Sequence, residues 1–251
     1  MSKFYRLLIL MLTLSIMNSC AASREVGGMT SRDAFDDPRV VQMVEAASNG
    51  DFKEVDAQIK AGANVNAVGK EGITPLIWQV YLRNVRATEK LLQEGANPNY
   101  RDEKHHASAL YLAVDAGRVD LLDILLRYKG DPNLLGPQGD SLLHKAVMSF
   151  CRDCVELLVE RGADVNIARA DGDTPANVAV GMAEFDLIVY FLEHGLHDNL
   201  QDLAFDLQSR VVPPDSEAQR LKDKVIEMLK ARGVQYPDPR YSPPKPPPGW
   251  Q

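Results

Sequence analysis

Two kinds of side chain in this 251-residue sequence invite a chemical reading, three cysteines and five histidines. Cys151 and Cys154 form C-R-D-C. In a redox protein that spacing makes a dithiol couple; otherwise it allows a structural disulfide or two free thiols. His105 and His106 are adjacent. Such a pair binds metal only with further ligands, and no Cys or carboxylate completes a tetrahedral set at a recognised spacing. His144 has the side chain of a general base. No G-x-S-x-G, glycine-rich phosphate loop or H-E-x-x-H surrounds any of these residues. The sequence therefore supplies no nucleophile, base or metal set, and no cofactor is expected.

The elements that carry these residues repeat. GANVN begins at Gly62, GANPN at Gly95, KGDPN at Lys129, GADVN at Gly162 and GLHDN at Gly195. Their last asparagines, Asn66, Asn99, Asn133, Asn166 and Asn199, lie 33, 34, 33 and 33 residues apart. A second series keeps the same beat: ITPLIW from Ile73, ASALYLA from Ala107, DSLLHKA from Asp140 and DTPANVA from Asp173. Thr74, Ser108, Ser141 and Thr174 precede apolar runs, where a hydroxyl caps the free N–H groups of a helix start. Pro75 and Pro175 follow, at a first helical position that needs no N–H. A second run, such as Leu121, Leu122, Leu125 and Leu126, makes one apolar face. The glycines then suit the left-handed residue that ends a helix. Each unit reads as helix, turn, helix, loop, and must stack on neighbours to bury its apolar face.

The T-P-L-H-x-A and G-A-D-x-N patterns of this repeat resemble the ankyrin repeat, over about residues 38–200. The resemblance implies an all-α ankyrin-repeat solenoid of about five units, with Pro38–Asn66 and Asp171–Asn199 acting partly as caps. Only His144 keeps the family's histidine; Ile77, Tyr111 and Asn177 fill the position elsewhere. In that family the histidine hydrogen-bonds between neighbouring loops, which gives His144 a structural role. Aligning the units puts Cys154 at the core position of Ala87, Leu121 and Leu187 and leaves Cys151 at the turn beside Phe150.

The same resemblance implies a protein-binding groove lined by loop tips and first-helix ends. Carried over, it holds Lys70, Glu71, Tyr81 and Leu82 in the second unit, and His105 and Asp115 in the third. The fourth contributes Asp140 and Met148, and the fifth Asp171, Asp173 and Met182. Trp78 shares a helix with Tyr81 and is either an anchor or packing between units. Aromatic and methionine side chains are enriched in interface cores. Trp78, Tyr81, Leu82, Met148 and Met182 are thus the expected anchors, with acids around them.

At the N-terminus, Lys3 and Arg6 precede an apolar run, Leu7–Met17, broken only by Thr13 and Ser15. This is the layout of a secretory signal at residues 1–19, too short for a transmembrane span. Ser19 before Cys20 resembles a bacterial lipobox. Cys20 is then the lipidated residue, the alternative being ordinary signal cleavage nearby. Ala21 after it resembles an outer-membrane sorting signal, which implies a periplasmic, lipid-anchored domain. Residues 20–37 read as a flexible tether. Initiation at Met29 would give a cytosolic form.

Residues 201–235 read as a helical C-terminal cap. The tail from Tyr236 to Gln251 has seven prolines and favours an extended chain; it is a ligand for an aromatic groove, a disordered tail, or a strap along the last helices.

The net charge is −7, and removal of residues 1–19 takes away two cations and no acid. Such a chain is ill suited to a phosphate backbone and excludes nucleic acid as the expected partner. It suits a basic protein. Export, a rigid face and no chemistry resemble the periplasmic immunity proteins that inhibit secreted antibacterial effectors, including phospholipases delivered by type VI secretion. The alternative is a periplasmic scaffold or stress-protective factor supporting a resident enzyme.

Overall fold

The computed structural model describes residues 25, 26, 28–103 and 106–242. Cys20, the signal segment and His105 lie outside them, as does the tail beyond Ser242. The described residues form thirteen α-helices and no strand, only isolated bridges pairing Val26 with Met29, Arg101 with Ser108 and Leu135 with Ser141. None of these helices is long and apolar enough to cross a membrane. The chain divides into two compact units, residues 1–97 and 98–251.

The first unit holds α1 (Ser31–Ala34), α2 (Pro38–Asn49), α3 (Phe52–Lys60), α4 (Pro75–Tyr81) and α5 (Val85–Gln93). Asp37 caps α2 with Pro38 at its first position, and the Thr74 hydroxyl accepts from Ile77 N–H at the start of α4. The core joins Val40, Met43, Val44 and Ala47 of α2 to Leu76, Trp78 and Val80 of α4 and Leu91 of α5. Burying each large side chain contributes about 1.5–3 kcal/mol. Gln79 is fully buried among them, which would be costly without partners. Its Nε2 donates to Val44 O (3.2 Å) and to Ser48 Oγ (2.9 Å).

The segment read as a flexible tether is packed in its described part. Thr30 and Asp33 form a capping box that starts α1. Phe35, buried, meets the Trp78 ring at 6.1 Å. Gly69 lies against this segment so closely that a Cβ there would sit 2.3 Å from Ala34 O. The T-x-x-D capping box shapes residues 30–33, Ser31 Oγ donates to Glu45 Oε1 of α2 (2.9 Å), and Phe35 packs on Trp78 of α4.

The second unit holds α6 (Ala109–Asp115) with α7 (Val119–Arg127), α8 (Leu142–Met148) with α9 (Arg152–Glu160), and α10 (Pro175–Met182) with α11 (Phe185–Glu193). These pairs and the two in the first unit are the five helix–turn–helix units expected. The cap follows as α12 (Leu200–Ser209) and α13 (Glu217–Ala231). Hydroxyls of Ser108 and Ser141 accept from Tyr111 and His144 N–H (3.1 and 3.3 Å), as expected for caps. Leu121, Leu122, Leu125, Leu142, Val155, Leu158 and Ile188 are fully buried between the layers. Lys129 replaces the helix-ending glycine of its unit and still adopts a left-handed φ of 68°, a conformation that disfavours any residue with a Cβ.

The periodic asparagines tie successive pairs together. Asn133 Nδ2 donates to Gly162 O (3.4 Å) while its Oδ1 accepts from Asp164 N–H (2.8 Å). Asn166 does the same with Gly195 O (3.2 Å) and His197 N–H (2.9 Å), and Asn99 with Lys129 O (2.8 Å) and Asp131 N–H (2.7 Å). Each amide thus satisfies one carbonyl left over at a helix end and one loop N–H of the next pair.

Beyond α13 the chain returns along α12. Gln208 Oε1 accepts from Asp238 N–H (2.7 Å), and Gln201 Nε2 donates to Asp238 Oδ2 (2.7 Å). Tyr241 meets Phe205 edge-on at 5.9 Å. Residues 236–242 are therefore a strap on the cap.

Candidate functional site

His144 is completely buried at the head of α8. Its Nδ1 accepts from Ser141 N–H (3.2 Å), so Nε2 carries the proton and donates to Asp173 O in the next loop (3.0 Å). Burial pushes the imidazole below its ordinary range, against the Asp173 hydrogen bond, with Arg169 adding to the depression. A neutral ring with both nitrogens engaged between two loops is a brace, with no lone pair left for a substrate. Asn177 repeats the device one unit later. Its Oδ1 accepts from Thr174 N–H (3.1 Å), and its Nδ2 donates to Asp206 Oδ2 on α12 (2.8 Å). The cap thus supplies a carboxylate where a further loop would supply a carbonyl.

Cys151 and Cys154 are joined as a disulfide. Cys151 occupies the N-cap position of α9 and Cys154 is fully buried three residues on. In α5 the corresponding pair is Asn84 and Ala87, where the Asn84 side chain accepts from Ala87 N–H (3.2 Å). The disulfide spans the same two positions covalently. Among the described residues no group of three His, Cys, Asp or Glu side chains is placed to hold a metal ion.

The expected groove residues have different fates. In the first unit, Tyr81 is 52% exposed, Leu82 is half-buried, and Lys70 and Glu71 are exposed. Trp78 is only 1% exposed and lies under Phe35, so it is packing and not an anchor. In the second unit, Asp140 is buried and paired with Arg169 Nε (2.6 Å). That spends its charge inside the fold and removes it from the expected site. Asp115 is exposed and paired with Lys145, whose Nζ lies over the Tyr111 ring at 5.4 Å. Met148 and Met182 are half-buried, Met148 Sδ accepting from Arg169 Nη2 (3.5 Å).

Asp171 and Asp173 gain company from the cap. They line an open cleft of about 520 Å³ with Asp202, Phe205, Asp206 and Arg240. Arg240 lies over the Phe205 ring at 5.4 Å and pairs with Asp202 and Asp238, both at 2.8 Å. Partial burial, then Asp171 and Asp206 nearby, pushes the Asp173 carboxyl above the ordinary carboxylate range. Four acids face one guanidinium that is shared between Asp202 and Asp238, so the cleft keeps excess negative charge. The contribution of α12 was missed in the sequence; Asp202 and Asp206, four apart on a helix, are the signal that could have found it.

Stacked helix pairs, asparagine clamps and a buried histidine bridging loops define a helical repeat protein whose exposed surface serves recognition. Family comparison agrees: the model for ankyrin repeats (3 copies) matches residues 43–135 and 121–202. The chain belongs to the ankyrin-repeat family, and its repeats make it a protein–protein interaction module.

Its relatives include the putative ankyrin repeat protein L371 of Acanthamoeba polyphaga mimivirus, 27% identical over 59% of this chain and 20% of that protein. The putative ankyrin repeat protein FPV031 of fowlpox virus (strain NVSL) is 28% identical over 68% of this chain and 55% of its own length. The nuclear factor NF-kappa-B p105 subunit of Gallus gallus is 30% identical over 64% of this chain and 16% of that protein. The chain therefore spans at most about half the length of these curated relatives.

Proposed function

We propose that the chain is exported, anchored through a lipid on Cys20, and acts in the periplasm as a non-catalytic inhibitor of a protein partner. The partner class that fits is a secreted antibacterial effector such as a phospholipase, which makes this chain an immunity protein. The observation that carries the protein-binding part is the acidic cleft of the second unit, where Asp171, Asp173, Asp202 and Asp206 line one opening beside Arg240. A basic protein surface complements it, and the net charge of −7 favours such encounters. The export part rests on Lys3, Arg6, the apolar run and Ser19-Cys20. Initiation at Met29 would retain Thr30–Phe35, including the Phe35 ring that packs on Trp78, so a shorter cytosolic form would keep that contact of the first unit.

The test combines genetics with capture. Cells deleted for this chain are mixed with siblings that secrete effectors, and the purified chain is used to retain proteins from the secreted fraction. The proposal expects killing of the deletion strain and retention of one hydrolase that loses activity on binding. Sensitivity to oxidant alone, with a resident enzyme retained in active form, would replace inhibition by the scaffold reading. Unmodified Cys20 in mass spectra of the membrane fraction would remove the lipid anchor.

A further inference from the structure

The repeat positions Gly117, Phe150 and Ala183 close the turns that join the two helices of the three pairs in the second unit. All three have left-handed backbone, with φ of 61°, 52° and 62°. Glycine takes this conformation freely; for a bulky aromatic residue it is an outlier that the fold must sustain. Phe150 is also 62% exposed. One residue thus carries both backbone strain and an apolar ring in water. Gly117 and Ala183, its equivalents in the second unit, are small, so no side chain at those two positions covers the ring; the equivalent in the first unit, Arg83, shares the left-handed backbone with φ of 56°. Met148, two residues before Phe150, and Met182, at the same place one repeat on, are both half-buried and end the packed helices α8 and α10. Immediately after Phe150 the Cys151–Cys154 disulfide closes a ring across the first turn of α9, which restrains the turn that displays it.

Charge around this turn has one sign to spare. Arg118 pairs with Asp120, Lys145 with Asp115, and Arg152 with both Glu156 and Asp186. Asp153, on the first turn of α9, and Glu184, which precedes α11 at the repeat position of Cys151, make no ion pair among the described residues. With one such carboxylate on its own turn and another at the equivalent turn of the next repeat, the ring is unsuited to an anionic membrane surface and complements a cationic rim.

We infer that Phe150 is the apolar anchor of the partner interface, inserting into an apolar pocket rimmed by Lys or Arg on the bound protein. This rests on the protein-binding reading above and extends its surface from the cleft to the α8–α9 turn. Buried aromatic anchors dominate interface energies, while an outer ring of charge sets encounter and specificity.

The probe is the protein that the wild-type full chain retains from the secreted fraction, purified and titrated by calorimetry at 50 and 300 mM NaCl. Phe150→Gly should weaken binding at least 30-fold while leaving the melting temperature unchanged or higher, because glycine relieves the left-handed strain. Phe150→Leu should keep most of the affinity. Val211→Ser, at a residue 90% exposed on the same unit, should change nothing. Wild-type affinity should fall at the higher salt. Undiminished binding by Phe150→Gly overturns the anchor while the protein-binding reading stands. Salt-independent binding overturns the cationic rim. A wild-type chain that retains no protein overturns both the anchor and the reading it rests on.

Discussion

His144 shows how a reactive side chain is turned to structure. With Nδ1 on Ser141 N–H and Nε2–H on Asp173 O, it links two loops while neutral. Replacing it by leucine leaves both backbone groups buried and unpaired, at a cost of about 1–3 kcal/mol. Its pKa lies below the ordinary 6.5 because burial disfavours the cation. The unfolded chain therefore takes up the proton more readily. The contribution of His144 is complete above about pH 6.5 and is lost as pH falls through that value towards the folded pKa. Urea denaturation at pH 7.5 and 5.5 should show the wild type losing stability on acidification by more than His144→Leu does. Equal losses in the two proteins would remove His144 from the pH response.

At the scale of the element, the helix starts are the informative points. α4, α5, α6 and α8 begin on side-chain oxygens of Thr74, Asn84, Ser108 and Ser141. α9 has no such acceptor and begins on the Cys151–Cys154 disulfide instead. A ring this short constrains the unfolded chain modestly, on the order of 2 kcal/mol. Cys151→Ser should lose about that much in urea denaturation, and dithiothreitol should destabilise the wild type but not the variant. A wild type indifferent to the reductant would show that the bond contributes nothing to α9. The asparagine clamps act between elements. Asn133→Ala removes the bonds to Gly162 O and Asp164 N–H and should cost about 1–3 kcal/mol, with faster amide exchange at residues 162–164 as its local signature.

For the molecule as a whole, electrostatics favours recognition over stability. Asp173 sits above the ordinary carboxylate range because of partial burial and the acids near it. A group with a raised folded pKa stabilises the fold as pH falls through that pKa, and opposes it at neutral pH. Asp171→Asn keeps an acceptor for Asp173 N–H (3.2 Å in the wild type) and deletes one charge. The Asp173 midpoint, followed by carboxyl NMR, should fall, and stability at pH 7 should stay level or rise slightly. Affinity for a basic partner should drop, most at low salt. An unmoved Asp173 midpoint would show that Asp171 is not among the causes of its shift.

What the sequence determined by itself was the repeat: the unit length, the helix starts at Thr74, Ser108, Ser141 and Thr174, and the helix-ending residues. Caps, prolines and left-handed residues act over three or four neighbours, so their pattern carries their meaning locally. The two candidate chemical sites also yielded to repeat alignment, His144 as a brace and Cys154 as a core residue. Exposure was decided only by tertiary structure, because it depends on what arrives from elsewhere in the chain. Phe35 covers Trp78 from more than forty residues away, and Arg169 takes Asp140 out of the surface. The cap brings Asp202 and Asp206 to Asp171 and Asp173. Phe150 stands exposed where its repeat-equivalents in the second unit are a glycine and an alanine. Local backbone chemistry built the scaffold, and long-range packing selected which of its side chains a partner can reach.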